Sequence, residues 1–322
     1  MNPIVAIERC DSYRLSAVRG AVENALAPLG GMPAFVKRGD RVLLKPNLLF
    51  AKPAEMAVTT HPALVEAVAL MVLDCGGIPV IGDSPPMTSA LRAARACGVA
   101  AAAQRCGVEI VEFRHPASVF RRQPILTAGV AVPQMEKSLL EMDVIINLPK
   151  FKSHQQMLLT CAVKNLYGCV VARRKAFWHF RLRRNPLLFA EMLLALLERI
   201  SPELTIVDAV VGMEGNGPGH GQPKPIGLIL AGRNAIAIDR VAAEIVNIPW
   251  KEHFVLNAAE HLGFDGVDLK NIRVEGLPLD EARVEAFQIP DLSPIGFSIA
   301  HLIKGLIKYI RYRLVSKTKS VH

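Results

Sequence analysis

Four cationic side chains follow short apolar runs in this chain: Lys45 after Val42-Leu43-Leu44, and Lys150, Lys152 and His154 after Val144-Ile145-Ile146. Lys164 and Asn165 stand a little further on. If these runs are strands of one parallel sheet, the cations leave it at a common edge, where loops and helix N-termini gather ligands in α/β proteins. Like charges brought together repel unless an anion or carboxylates join them. The chemistry expected is therefore capture of a phosphate- or carboxylate-bearing molecule by Lys45, Asn47, Lys150, Lys152, Ser153, Lys164, Asn165 and Asn216.

Acids follow the same runs: Asp83 in Gly82-Asp83-Ser84-Pro85, Asp208 after Thr205-Ile206-Val207, then Glu214 and Asp239. With His154, Asp83 and Asp208 are the candidates for moving protons, and Asp83, Asp208 and Glu214 for holding a divalent metal. The plainer alternative is that these acids neutralise the lysines. His61, just before Pro62, either caps a helix or meets the ligand. The run Gly215-x-Gly217-x-Gly219-x-Gly221 lacks the strand, G-x-G-x-x-G and helix order of a dinucleotide site. It reads as a tight or mobile loop whose bare backbone nears a ligand, with Asn216 and His220 as contacts, or as a plain surface loop.

What must position these groups is an α/β layered fold, with a mostly parallel sheet and helices on both faces. Strands are expected at Ile4–Arg9, Arg41–Leu44, Ile78–Ile81, Val108–Phe113, Val144–Leu148, Leu204–Val211, Gly227–Ala231 and Ile272–Val274. Helices are expected at Leu15–Ala27, Pro62–Asp74, Ser89–Arg105, Met157–Tyr167, Pro186–Arg199 and Ile236–Val246. A short antiparallel hairpin is expected near Phe120–Val132, and a seam, if one divides the domain of residues 1–292, near 115–135. In residues 293–322, Ile299, Leu302, Ile303, Leu306, Ile307 and Ile310 oppose Lys304, Lys308 and Arg311, the pattern of a basic amphipathic C-terminal helix.

The 322 residues, 51% hydrophobic and 21% charged, are those of a folded globular chain and exclude disorder, collagen and small disulfide scaffolds. Lys and Arg number 38 against 29 Asp and Glu. The excess sits in Arg173–Arg184 and in the tail after Asp291; the remainder is slightly acidic, so nucleic acid is a poor partner. Arg173–Arg181 interleaves basic and aromatic residues and reads as a flap over the anion site, with a lipid headgroup contact as the rival. The tail suits the protein's own core, an anionic membrane surface through 295–319, or an acidic partner. The six cysteines make no C-x-x-C pair, so no iron–sulfur or zinc site is encoded locally, and the start of the chain lacks a signal-peptide core. A cytoplasmic protein is expected, or one peripheral to the inner face of the membrane; no run reaches the roughly 18 apolar residues of a spanning helix.

Several segments carry a resemblance: Leu43-Leu-Lys-Pro-Asn47, Thr59-Thr-His-Pro62, Gly82-Asp-Ser-Pro85, Asp143-Val-Ile-Ile-Asn-Leu-Pro-Lys-Phe-Lys-Ser-His154, Ala162-Val-Lys-Asn-Leu-Tyr-Gly168, Val207-Asp-Ala-Val-Val-Gly-Met-Glu-Gly-Asn-Gly-Pro218 and Ile238-Asp-Arg240. In order and spacing they resemble the domain-of-unknown-function 362 family, whose members are often fused to or encoded beside ferredoxin-like iron–sulfur modules. The resemblance implies that these lysine, asparagine, histidine and aspartate positions form a shared site. It also implies that any electrons come from a separate ferredoxin-like partner, because a basic helix stands here in place of the C-terminal cluster module. Three functions follow: an enzyme on a small anionic substrate performing a redox or isomerisation step; a non-enzymatic metal or iron–sulfur accessory or maturation protein; or a membrane-surface enzyme on a lipid phosphate.

Overall fold

The computed structural model describes residues 2–182 and 185–292. Most strands of one ten-stranded sheet are runs of Val, Ile and Leu, as expected where both faces are covered. In chain order they are β1 (Ile4–Arg9), β2 (Arg41–Pro46), β3 (Ile78–Asp83), β4 (Glu109–Glu112), β7 (Val144–Leu148), β8 (Lys150–His154), β9 (Leu158–Thr160), β10 (Leu204–Glu214), β11 (Gln222–Gly232) and β12 (Arg273–Gly276). Two further short strands, β5 (Pro116–Ala117) and β6 (Met135–Glu136), pair separately. The sheet runs β12-β1-β11-β10-β7-β2-β3-β4, with β8 beside β10 and β9 beside β8. Pairing is parallel from β10 through β4 and between β1 and β12; β11 runs against both its neighbours.

Alternation along each strand divides the core in two. Val42, Leu44, Val144, Ile146, Ile206 and Ile229 face one side. There they meet α1 (Leu15–Leu26), α2 (Pro62–Asp74), α3 (Ala90–Cys97) and α4 (Val99–Cys106). Leu43, Ile145, Val207, Leu228 and Leu230 face the other, under α5 (Ala162–Asn165), α7 (Pro186–Ile200), α8 (Ala235–Ile245) and α9 (Phe254–His261). Helix α6 (Ala172–Leu182) precedes α7, and a last turn, α10 (Leu279–Ala282), follows β12. The α/β fold with helices on both faces is the one the sequence predicts. None of the helices among the described residues is long and apolar enough to cross a membrane.

Four local expectations are corrected. The helix expected over Ser89–Arg105 is two helices, because Gly98 between them is left-handed at φ 88°. The segment Met157–Tyr167 is not one helix: its apolar start is β9, hydrogen-bonded to β8, and only the short α5 and a 3-10 turn at Leu166–Cys169 follow. The hairpin expected near Phe120–Val132 reduces to the two-residue pairing of β5 with β6 outside it. Between them the backbone N–H groups of Ile125, Leu126 and Thr127 donate to the Glu198 carboxylate on α7, so a side chain replaces the missing cross-strand partner. Lys150–His154, expected only to follow the strand at Val144–Leu148, is itself a strand. The amphipathic helix expected in 293–322, with its membrane and ferredoxin contacts, lies outside the described residues.

Candidate functional site

The site begins where Pro149 separates β7 from β8. Strand β7 pairs with β2 and, towards its end, with β10; past the proline the chain leaves β2 and runs between β10 and β9, Lys150 opposite Asp208 and Lys152 opposite Met213. A strand rises about 3.3 Å per residue, so Lys150, Lys152 and His154 leave one face about 6.6 Å apart. Phe151 points the other way into the core, edge-on to Phe287 at 6.0 Å. Three basic side chains on one buried face need three solutions, and the fold supplies a different one for each.

Lys150 is matched by an acid. Its ammonium lies 2.9 Å from Asp208 Oδ2, with neither side chain exposed. It also donates to the Tyr13 hydroxyl at 2.8 Å, which in turn donates to Asp208 Oδ1 at 2.6 Å. The same hydroxyl accepts from Val211 N, across the irregularity in the β10–β11 register. Tyr13 stacks on His61, ring centroids 3.5 Å apart, while His61 N donates to Asp208 Oδ2. Burial lowers the Lys150 pKa against the pull of Asp208, raises that of Tyr13, and holds His61 down at about 4. His61 caps α2, its Nδ1 accepting from Ala63 N.

Lys152 is matched by neutral oxygens. It donates to Asn47 Oδ1 at 2.7 Å and Val58 O at 2.9 Å. Asn47 belongs to an amide relay: its Nδ2 donates to Asn165 Oδ1, and Asn165 Nδ2 donates to Asn147 Oδ1 and Lys45 O. Burial, then Lys164 and Lys150, hold the Lys152 pKa well below its usual value. Lys45 itself pairs with Asp83 at 3.0 Å, and Asp83 accepts from Leu48 N and Ser84 N. Gly168 covers this pair so closely that a Cβ there would overlap Asp83 Oδ1 and Lys45 Nζ.

His154 is neutral. Burial first and then Lys164 press its pKa well below the usual value, and its Nδ1 accepts from Gln156 N at 3.1 Å. Nε2 therefore carries the proton and, among the described residues, has no hydrogen-bond partner. Lys164 has neither an acid nor a hydrogen-bond partner among the described residues; its ammonium lies 5.8 Å from the ring centroids of Tyr167 and Phe189. Burial brings it down to about 8. Lys175 and His179 on α6 complete the group. Lys175 donates to Ser84 O, and burial lowers it to about 7 despite nearby Asp83. His179, held at about 3 by burial and then Lys164, has a buried Nδ1 without a hydrogen-bond partner among the described residues. The sequence from Val144 to Ala190 contains no Asp or Glu.

Lys45, Asn47, Asp83, Lys150, Lys152, His154, Lys164, Asn165 and Asp208 are thus buried or half-buried around the carboxyl ends of the central strands. The acids proposed as catalytic, Asp83 and Asp208, are the lysines' counter-ions. Four other candidates stand apart. Ser153 points away from the lysines, its buried hydroxyl without a partner, beside Gly217. Asn216 and His220 are exposed. Glu214 accepts from Gln288 N and faces Lys224 at 3.8 Å. Among the described residues no three His, Cys, Asp or Glu side chains gather as for a metal. The glycine-rich run packs on the protein itself: a Cβ on Gly217 would overlap the Ser153 carbonyl, and one on Gly219 would come 2.5 Å from the Phe50 ring. Asp239 anchors α5, accepting from Ala162 N and Val163 N, and burial lifts it to about 7.

Sequence reasoning missed Tyr13, Asn147 and the inward roles of Lys175 and His179. Tyr13 lies just past β1, whose carboxyl end reaches the same edge, so its position after the first strand was the available signal. Beside Asp83 a cleft of about 840 Å³ opens between the ends of β3 and β4, lined also by Ser84, Glu112, Arg114, Val171 and Arg174.

Against known proteins, this chain is 35% identical over 322 residues to the thylakoid-associated protein sll1697 of Synechocystis sp., covering 99% of this chain and 98% of the relative. The solved lactate racemase apoprotein from Thermoanaerobacterium thermosaccharolyticum is similar with a TM-score of 0.42 and 10% identity, over 71% of this chain and 54% of that one. The chain therefore spans about half the length of that structure. Residues 42–244, which hold most of the side chains just described, match the family described as "Domain of unknown function (DUF362)", and the chain belongs to that family.

Proposed function

We propose that the protein is an enzyme that binds a small carboxylate- or phosphate-bearing molecule against Lys164 and carries out a proton transfer on it, an isomerisation in the simplest case. The observation that supports this reading is the state of Lys164: a cation in dense surroundings, among Lys152, Lys175, His154 and His179, with no acid among the described residues to neutralise it. An anion is the ligand that would relieve the repulsion, and it would gain most from a partly desolvated ammonium.

The roles follow from protonation. Lys164, with a pKa near 8, is mostly charged at neutral pH yet gives up its proton readily, which suits holding an anion and exchanging a proton. His154 is held as a neutral imidazole with its proton on Nε2, so it acts as a hydrogen-bond donor to developing charge on a substrate oxygen; the proton shuttle expected of it passes to the lysine. Lys45–Asp83 and Lys150–Asp208 keep the surrounding strands in place without contributing net charge.

Calorimetric titration of the full chain with inorganic phosphate, and separately with small mono- and dicarboxylates, tests the reading. Binding by the wild type that falls at least about tenfold in Lys164→Met, with the melting temperature unchanged or higher, is the expected result. Equal binding by both proteins would place the anion elsewhere.

A further inference from the structure

We propose that the outer face of α6, with the first turn of α7, is a docking surface for an anionic lipid bilayer. Helix α6 has two unlike sides. Lys175 and His179, four residues apart, point inward, Lys175 to Ser84 O and His179 stacked on Phe189 at 4.8 Å. At 100° per residue, Phe177 lies opposite them, flanked by Phe180 and Arg181, with Arg174 one turn earlier. Phe177 is 57% exposed and Phe180 43%; Leu187 and Leu188, which open α7 just past the connection, are 37% and 45% exposed. Arg174 and Arg181 are exposed as well, and Arg181 sits 5.8 Å from the centroid of the Trp178 ring.

A lone exposed phenylalanine means little, but four large apolar side chains exposed on two helices that follow one another in the chain offer apolar surface that water does not favour. The charges that this segment of the chain contributes have one sign. Arg174 and Arg181 stand on α6, Arg173, Arg183 and Arg184 are their sequence neighbours, and no Asp or Glu occurs between Val144 and Ala190. Aromatic and leucine side chains entering the acyl boundary while arginines meet phosphate headgroups is the mode of an interfacial helix. A neutral apolar partner would not use the arginines, and an acidic soluble protein would leave the phenylalanines unexplained.

The test is co-sedimentation of the full chain with vesicles of phosphatidylcholine alone and of phosphatidylcholine mixed with phosphatidylglycerol. The wild type should bind the mixed vesicles, and bind more weakly as salt rises. Phe177→Ser/Phe180→Ser should weaken that binding at least about tenfold; Arg174→Gln/Arg181→Gln should weaken it and flatten its salt dependence. Circular dichroism melts establish that both variants remain folded, and quenching of Trp178 by brominated lipid, in a Trp250→Phe background, reports contact at this helix directly. Unchanged binding by both variants, or no quenching, would overturn the proposal. So would conversion of a wild-type dimer to monomer by the phenylalanine changes with no effect on vesicle binding, since the face would then join two copies of the chain.

Discussion

Tyr13 bridges the two members of a buried ion pair: its hydroxyl accepts from Lys150 at 2.8 Å and donates to Asp208 at 2.6 Å, while its ring lies flat against His61. Through Val211 N the same oxygen reaches the irregular part of β10. One phenol thereby ties the loop after β1, the cap of α2, β8 and β10 into a single polar network. Such networks are costly to break at one member only, because the groups left behind stay buried.

Asp208→Asn should accordingly destabilise the protein by about 3–5 kcal/mol, since it strands the Lys150 ammonium in a site where neither partner touches water. Tyr13→Phe, which orphans Val211 N and one lysine proton, should cost about 1–3 kcal/mol. Urea unfolding of the two variants checks both. A loss below about 1 kcal/mol for Asp208→Asn would mean that the pair is hydrated in solution.

Lys164 predicts the opposite mutational sign. It has no counter-charge among the described residues to lose, so Lys164→Met should leave the urea midpoint unchanged or raise it. The pH behaviour follows from its lowered pKa. Folding holds this lysine near 8 against an ordinary 10.5, so the folded state bears an unfavourable charge below about 8 and is relieved as the pH rises past it. An anion reverses this by favouring the charged form. Phosphate should therefore raise the melting temperature strongly at pH 7 and little at pH 9.5, and a shift of equal size at both would show that other groups bind it.

Acid should loosen the fold before most carboxylates titrate. His61, His179 and His253 sit near 4, 3 and 4 because burial disfavours their charged forms. Unfolding frees them to take protons at ordinary values, so the unfolded state binds more protons and stability falls as pH drops from about 6.5 towards 4. Urea midpoints measured across that interval should decline. His179→Phe, which keeps a ring against Phe189, should make the decline shallower.

Gly168→Ala and Gly217→Ala test the two tightest backbone approaches. Each new methyl would overlap atoms with little room to move: the Lys45–Asp83 pair in the first case and the Ser153 carbonyl in the second. Losses of about 1–3 kcal/mol are expected from such overpacking, whereas Ala at Gly129, which has open space around it, should be neutral in the same melts.

The layered sheet was legible because its strands are continuous apolar runs with helical stretches between them; Val144–Leu148 and Pro62–Asp74 begin and end where the pattern places them. The site was half legible. That Lys45, Lys150 and Lys152 lie near one sheet edge follows from parallel topology, but which of them is already neutralised depends on contacts between positions as distant as Lys150 and Asp208. Local polarity hid the strand at Lys150–His154, where four residues in five are polar or cationic; pairing with β10 on one side and β9 on the other overrides it. Burial of Lys175 and His179 was hidden for a similar reason, since a run of arginines and aromatics has no evident inner face until α6 is laid on Tyr167 and Phe189.

The two-residue rhythm of β8 makes that strand a reading frame. Removing or adding a single residue between Pro149 and His154 would rotate everything downstream by half a turn, pressing ammonium groups into the apolar layer around Phe287 and swinging Phe151 out among the asparagines. This stretch should tolerate exchanges of side chain far better than any change in its length.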